Sequence, residues 1–177
     1  MKFLSCAALF LSLVFTALAD DQATFQVGSF TFTRPTDWQW IPVASPMRKA
    51  QLNVPGTAAG QSAEVAFFYF GGGQGGDVDA NVQRWLRQFD SKPDSEKSAS
   101  QQVGKTKITL VSTEGTYHSG MPGGPTKEVP NQALLGAILE SADGNVFVKM
   151  TGPEDLVKAT RQKFIDFITT AAKTTAK

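Results

Sequence analysis

The sequence predicts an α+β fold: one antiparallel sheet covered by two main helices, layered as an αβα sandwich. Three observations predict it. Short apolar runs recur with turn residues between them, as hairpins require. Only two segments, near residues 78–89 and 154–171, carry apolar residues at helical period. Several strands separate those two helices, so the chain lacks the strand–helix alternation of a parallel doubly wound sheet.

The stretch AEVAFFYFGGGQGGDVDANVQRWLRQF, Ala63 to Phe89, organises the rest. Val65 to Phe70 is a nearly continuous aromatic-rich apolar run, which suits a buried or half-buried strand. Val78, Val82, Trp85, Leu86 and Phe89 then form one helical stripe. Asp77 precedes the stripe, where a carboxylate accepts bonds from the first free N–H groups. Between strand and helix, Gly71 to Gly76 satisfies G-x-G-x-x-G at Gly71, Gly73 and Gly76. A run this rich in glycine meets that pattern by accident. Asp77 also puts negative charge where a pyrophosphate would sit, and no acidic residue ends a second parallel strand. No lysine follows the loop as in a P-loop. The loop therefore reads as a flexible connection, and nucleotide binding as its lesser alternative.

The remaining elements follow in order. Met1 to Ala19 reads as a secretory signal peptide: Lys2, an apolar core from Ala7 to Leu18, and a small-x-small cleavage pattern at Ala17-Leu18-Ala19. Cys6 precedes the apolar core, which excludes a lipobox. Asp20 to Lys177 then reads as a single α+β domain, exported to the periplasm or secreted. Cleavage removes the one cysteine and one of 17 basic residues, leaving balance with 16 acidic ones. No disulfide or thiol chemistry is expected, nor nucleic acid or anionic membrane as main partner. No later apolar run is long enough to span a bilayer.

Phe25, Val27, Phe30 and Phe32 flank Gly28-Ser29 as a two-residue hairpin. Trp38 to Ile41 and Met47 to Val54 read as short strands, the latter closed by Pro55-Gly56. Asp90 to Ser100 reads as a polar loop, and Gln101 to Thr113 as a hairpin turning near Gly104, with the strand resuming through His118. Ser119 to Pro130, with three prolines and three glycines, reads as a loop. Ala133 to Glu140 and Val146 to Thr151 form a hairpin about Asp143-Gly144. Gly152-Pro153 opens the closing helix, whose stripe is Leu156, Val157, Thr160, Phe164, Phe167, Ile168 and Ala171.

FTFTRPTDW near the mature start, the strand-to-helix run through Val78 to Phe89, and VFVKMTGPEDL leading to FIDFI together resemble the PsbP-like fold group. That group includes extrinsic photosystem II proteins and a nuclear-transport accessory factor. Phe32 to Trp38 approximates the family's F-x-x-P-x-x-W opening. The chain also resembles uncharacterised secreted bacterial proteins with a GGDV-x-A-N-x-x-R-W segment. The resemblance implies an αβα sandwich and a binding or accessory role. It carries over no site residue, because no catalytic motif defines the group.

The chemical inventory is spare. His118 is the one histidine, beside Ser119 but without a G-x-S-x-G elbow. Zinc sites of several His or Cys ligands are excluded in the mature chain, and no metal or cofactor is expected. Glu64, Asp77, Asp79, Glu114 and Glu140 are the carboxylates a glycosidase-like hydrolase would draw on. Most of the thirteen phenylalanines belong to the core. Trp38, Trp40, Tyr117 and Met121, with Gly73, Gly75 and Gly76, form the candidate binding surface. The expected function is an exported, non-enzymatic binding or accessory domain of the cell envelope, taking a protein or small ligand. The alternative is the carboxylate hydrolase.

Overall fold

The structure, a computed structural model, describes residues 23–43, 45–120 and 125–174. The signal peptide, Cys6 and Met121 lie outside the described residues.

Among the described residues, ten strands and two helices follow one another. The strands are β1 (Thr24–Val27), β2 (Phe30–Thr33), β3 (Gln39–Trp40), β4 (Arg48–Pro55), β5 (Ser62–Tyr69), β6 (Phe89–Ser91), β7 (Lys97–Val103), β8 (Thr106–Ser119), β9 (Lys127–Leu139) and β10 (Val146–Pro153). Helix α1 (Val78–Leu86) follows β5, and α2 (Glu154–Lys173) ends the described chain. Eight strands form one antiparallel sheet in the order β3-β4-β5-β10-β9-β8-β6, with β7 also paired to β8; β1 and β2 form a separate two-stranded sheet.

The expected α+β fold, an αβα sandwich of two main helices over a sheet, is overturned. The chain is mostly β, 48% strand against 20% helical, in two sheets. Two physical reasons account for the difference. Stretches read as loops are strands: β6 and β7 occupy most of 90–100, and β9 begins at Lys127 inside the proline-rich stretch. The first hairpin also stands outside the main sheet and shares a layer with α2, packing Phe32 against Phe167 with ring centroids 5.3 Å apart.

Alternation along each strand sets what each face carries. On β5, Ala63, Val65 and Phe67 enter the larger core with the hairpin and α2. On β10, Val146, Val148 and Met150 do the same. The opposite face carries Phe147 and, from β9, Leu134 and Ile138; α1 covers these with Val82, Trp85 and Leu86. The Trp85 ring lies against Gly136, where a Cβ would come within 2.4 Å of it. At only nine residues, α1 covers one end of that face. The other end, across β4, β5 and β10, is left concave and open.

Pro130 sits within β9 because the ladder is interrupted there. Register passes from Gly115↔Gln132 to Tyr117↔Val129, so β9 carries one extra residue at a bulge, with Asn131 at φ 56°.

Candidate functional site

The open end of the sheet forms a groove of about 460 Å³, within the range typical of small-ligand sites. Its wall is built from consecutive rungs of the ladder. In one rung Lys149 of β10 lies between Ala66 of β5 and Gly136 of β9. Ala66 leaves room beside the lysine stem, while the space over Gly136 is taken by the Trp85 ring. In the next rung Glu64 lies between Asn53 and Thr151, diagonal to Lys149. Arg48 pairs with Phe68 at the β4 bulge. Tyr117, carried in on β8 opposite the β9 bulge, closes the far side.

The charges in the groove are arranged in contact. Arg48 Nη1 meets Glu64 Oε1 at 2.9 Å, and Gln51 Nε2 donates to Glu64 Oε2 at 2.6 Å. Lys149 Nζ donates to Gln88 Oε1 and sits 5.2 Å from the centre of the Tyr117 ring, a cation–π contact. Burial pushes the Lys149 amine down to about 8; the Glu64 carboxylate resists this, and Arg48 and Arg84 add to it. Burial also raises the Tyr117 hydroxyl, with Glu64 adding to that rise and Arg48 opposing it.

The sequence-derived surface is dispersed in space. Trp38 is 0% exposed and packs on Phe167 in the main core. Trp40 lies on the same side, edge-on to Phe25 at 4.9 Å. Tyr117 lines the groove. The glycine loop is a separate feature, in which Gly71, Gly73, Gly75 and Gly76 all take positive φ. Gly75 packs so close to Phe147 that a Cβ would lie 2.8 Å from that ring. Asn81 Nδ2 donates to the carbonyls of Gly75 and Asp77, both at 2.8 Å, and the Asp77 carboxylate accepts from the N–H groups of Asp79 and Ala80 at 2.9 and 3.1 Å. The loop is thus fastened to α1 by its own side chains, and a carboxylate occupies the helix N-terminus. Asp77→Ala is expected to lower stability by about 1 kcal/mol, read as a lower urea midpoint with an unchanged slope.

The remaining candidate chemistry is likewise engaged. His118 Nε2 pairs with Asp90 Oδ2 at 2.9 Å, while Ser119 Oγ donates to the Lys127 carbonyl at 3.1 Å. Glu114 pairs with Lys158 at 2.6 Å and Glu140 with Lys107 at 3.3 Å. Glu64 is the one carboxylate among the described residues lining the groove. No group of three or more His, Cys, Asp or Glu among the described residues is placed to hold a metal ion. No helix among them is long and apolar enough to cross a membrane.

Sequence reasoning passed over Lys149, Arg48, Phe68 and Gln88. A signal for Lys149 was present: VFVKMT is an apolar strand broken by a single lysine. A charge at such a position is buried only with partners.

No protein-family model matches the chain, and a search of curated proteins returns no match.

Proposed function

We propose that the protein is an exported, non-enzymatic binding module that holds a small, partly apolar anion in the groove on the open end of its sheet. The signal-like segment Met1 to Ala19 supports export. The observation that carries the binding reading is Lys149: an ammonium set in a half-covered groove against Tyr117 and Gln88, with no carboxylate of the described residues in hydrogen-bond contact. Such a charge is costly where it stands, and an anionic ligand would supply the counter-charge. Arg48 adds a second cation, since one guanidinium nitrogen serves Glu64 and a guanidinium has five N–H donors. Phe68 and Tyr117 give the apolar body of the ligand a surface. A glycosidase needs two carboxyl groups across one groove, and Glu64 stands alone in this one, which favours binding over hydrolysis.

Thermal unfolding with a panel of aromatic and aliphatic carboxylates tests the reading. A ligand at 100 times its Kd should stabilise the fold by about 2.7 kcal/mol. The shift should vanish in Arg48→Met and Lys149→Met and persist in Lys107→Met, whose ion pair with Glu140 lies outside the groove. A shift that survives both groove substitutions, or silence across the panel, sinks the proposal.

A further inference from the structure

Lys149 stands apart from the ion-paired lysines of the described residues. Lys92, Lys107, Lys158 and Lys163 are half-exposed, and each is paired with a carboxylate. Lys149 instead emerges from a central strand into the groove, between the small residues Ala66 and Gly136, with its Nζ on a neutral amide and a ring face. Desolvated lysines in apolar pockets are the ones that act as amine nucleophiles.

We propose that Lys149 captures a carbonyl-bearing anion covalently, as an imine formed inside the groove. This rests on the groove being the ligand site and names the class of ligand it takes: a small aldehyde or keto acid carrying a negative group. The neutral amine adds through its lone pair to the carbonyl carbon, giving a carbinolamine. Loss of water then forms the C=N bond, and both amine hydrogens leave with the carbonyl oxygen as that water. No oxidant or reductant is consumed. Glu64, diagonal to Lys149 in the ladder and the one carboxylate lining the groove among the described residues, is assigned the movement of protons between nitrogen and oxygen. The charged and titratable groups acting on Lys149 are Glu64, Arg48 and Arg84, with Tyr117 beneath the nitrogen. The imine nitrogen then takes one proton from solvent, and its charge lies over the Tyr117 ring. Arg48 is placed to receive the anionic end of the ligand.

The lowered affinity of this amine for its proton adds a rate argument. At pH 7.5, an amine titrating near 8 is about one quarter neutral, against about one in a thousand for an ordinary lysine. Part of that advantage is returned as weaker nucleophilicity, so a preference of at least about tenfold is expected.

The test is reductive trapping. The purified protein is incubated at pH 7.5 with 4-carboxybenzaldehyde and sodium cyanoborohydride, and modified peptides are mapped by mass spectrometry over time. The α-amine is left out of the comparison because it titrates in the same range. The expected result is modification at Lys149 at least tenfold faster than at Lys92, Lys107, Lys158 or Lys163. In Lys149→Arg, which keeps the charge and removes the nucleophile, the remaining sites should label unchanged; near-UV circular dichroism checks its fold. Binding of 4-methylbenzoate, which has no reactive carbonyl, is measured in parallel by calorimetry. Labelling of Lys149 no faster than of the surface lysines overturns imine formation. If 4-methylbenzoate still binds in a manner lost in Arg48→Met, the groove reading survives that failure. If neither probe engages the groove, both proposals fall.

Discussion

Lys149→Met is expected to make the protein more stable at pH 7, by about 2 kcal/mol, while removing ligand binding. Burial lowers the folded-state pKa of Lys149 from 10.5 to about 8. At 1.36 kcal/mol per unit, that displacement corresponds to a folding cost of about 3 kcal/mol. Loss of the hydrogen bond to Gln88 returns about 1 kcal/mol of it. The pH dependence follows from the direction of the shift. Below pH 8 the amine is protonated in both folded and unfolded chains, and the fold bears the whole cost. Between about pH 8 and 10.5 the unfolded chain holds a proton that the folded chain has released, so stability rises with pH. Above 10.5 both forms are neutral and the cost is gone. Chemical denaturation at pH 7 and pH 10 should therefore show this Lys149 contribution to rising stability in the wild type and its loss in Lys149→Met. A variant that is less stable at pH 7, or that keeps the same difference between the two pH values, would show that the amine is well accommodated. It would also remove the main support for a ligand counter-charge. A gain in stability paired with a loss of binding is the pattern of a residue kept for function at a cost to the fold.

Much of the fold was legible because its signals are local. Gly28 occurs at φ 55° in the turn between β1 and β2, as a two-residue hairpin demands. The stripe Val82, Trp85 and Leu86 faces the sheet from α1, and Val157, Phe164 and Ile168 face it from α2. The first part of strand β7, before the hairpin at Gln101, was not legible. KSASQQ is exposed on both faces and is held to β8 by backbone pairing and the Ser100–Thr109 hydroxyl contact, so no alternation marks it. The early part of β9 was hidden by Pro130, which the bulge accommodates. The separate two-stranded sheet has no local signal for a related reason. Hairpin signals show that β1 and β2 pair with each other, but not whether that pair joins the main sheet. That depends on Phe25 and Phe32 packing edge-on against Phe67 across layers, a tertiary property.

The candidate site was less legible still. Trp38 and Trp40 drew attention by size, and the space they fill is core. The groove arises from the shortness of α1 and from the diagonal placement of Glu64 and Lys149. These residues are more than eighty apart in sequence and become neighbours only when β5 and β10 pair.

Phe67→Ala is expected to produce the largest loss of stability, about 3–5 kcal/mol. Phe67 is 0% exposed. Its ring meets Phe25 at 5.1 Å and Phe32 at 5.2 Å, both edge-on, and Phe167 at 6.0 Å. One side chain of the main sheet thus holds both strands of the separate hairpin and the closing helix. The hairpin has no backbone bond to the main sheet, and an isolated two-stranded hairpin is marginal in water. Removing the ring leaves a cavity at that junction and weakens the packing that keeps the hairpin ordered. Two measurements separate a general loss from this specific one. Urea unfolding should show the lower midpoint, with Phe67→Leu losing less than half as much. Amide exchange should show Thr24 to Thr33 losing more protection than the β8–β9 ladder on the same sheet. Equal loss in both regions would mean that the hairpin and the sheet unfold as one unit, and that Phe67 stabilises the fold without being the point of attachment.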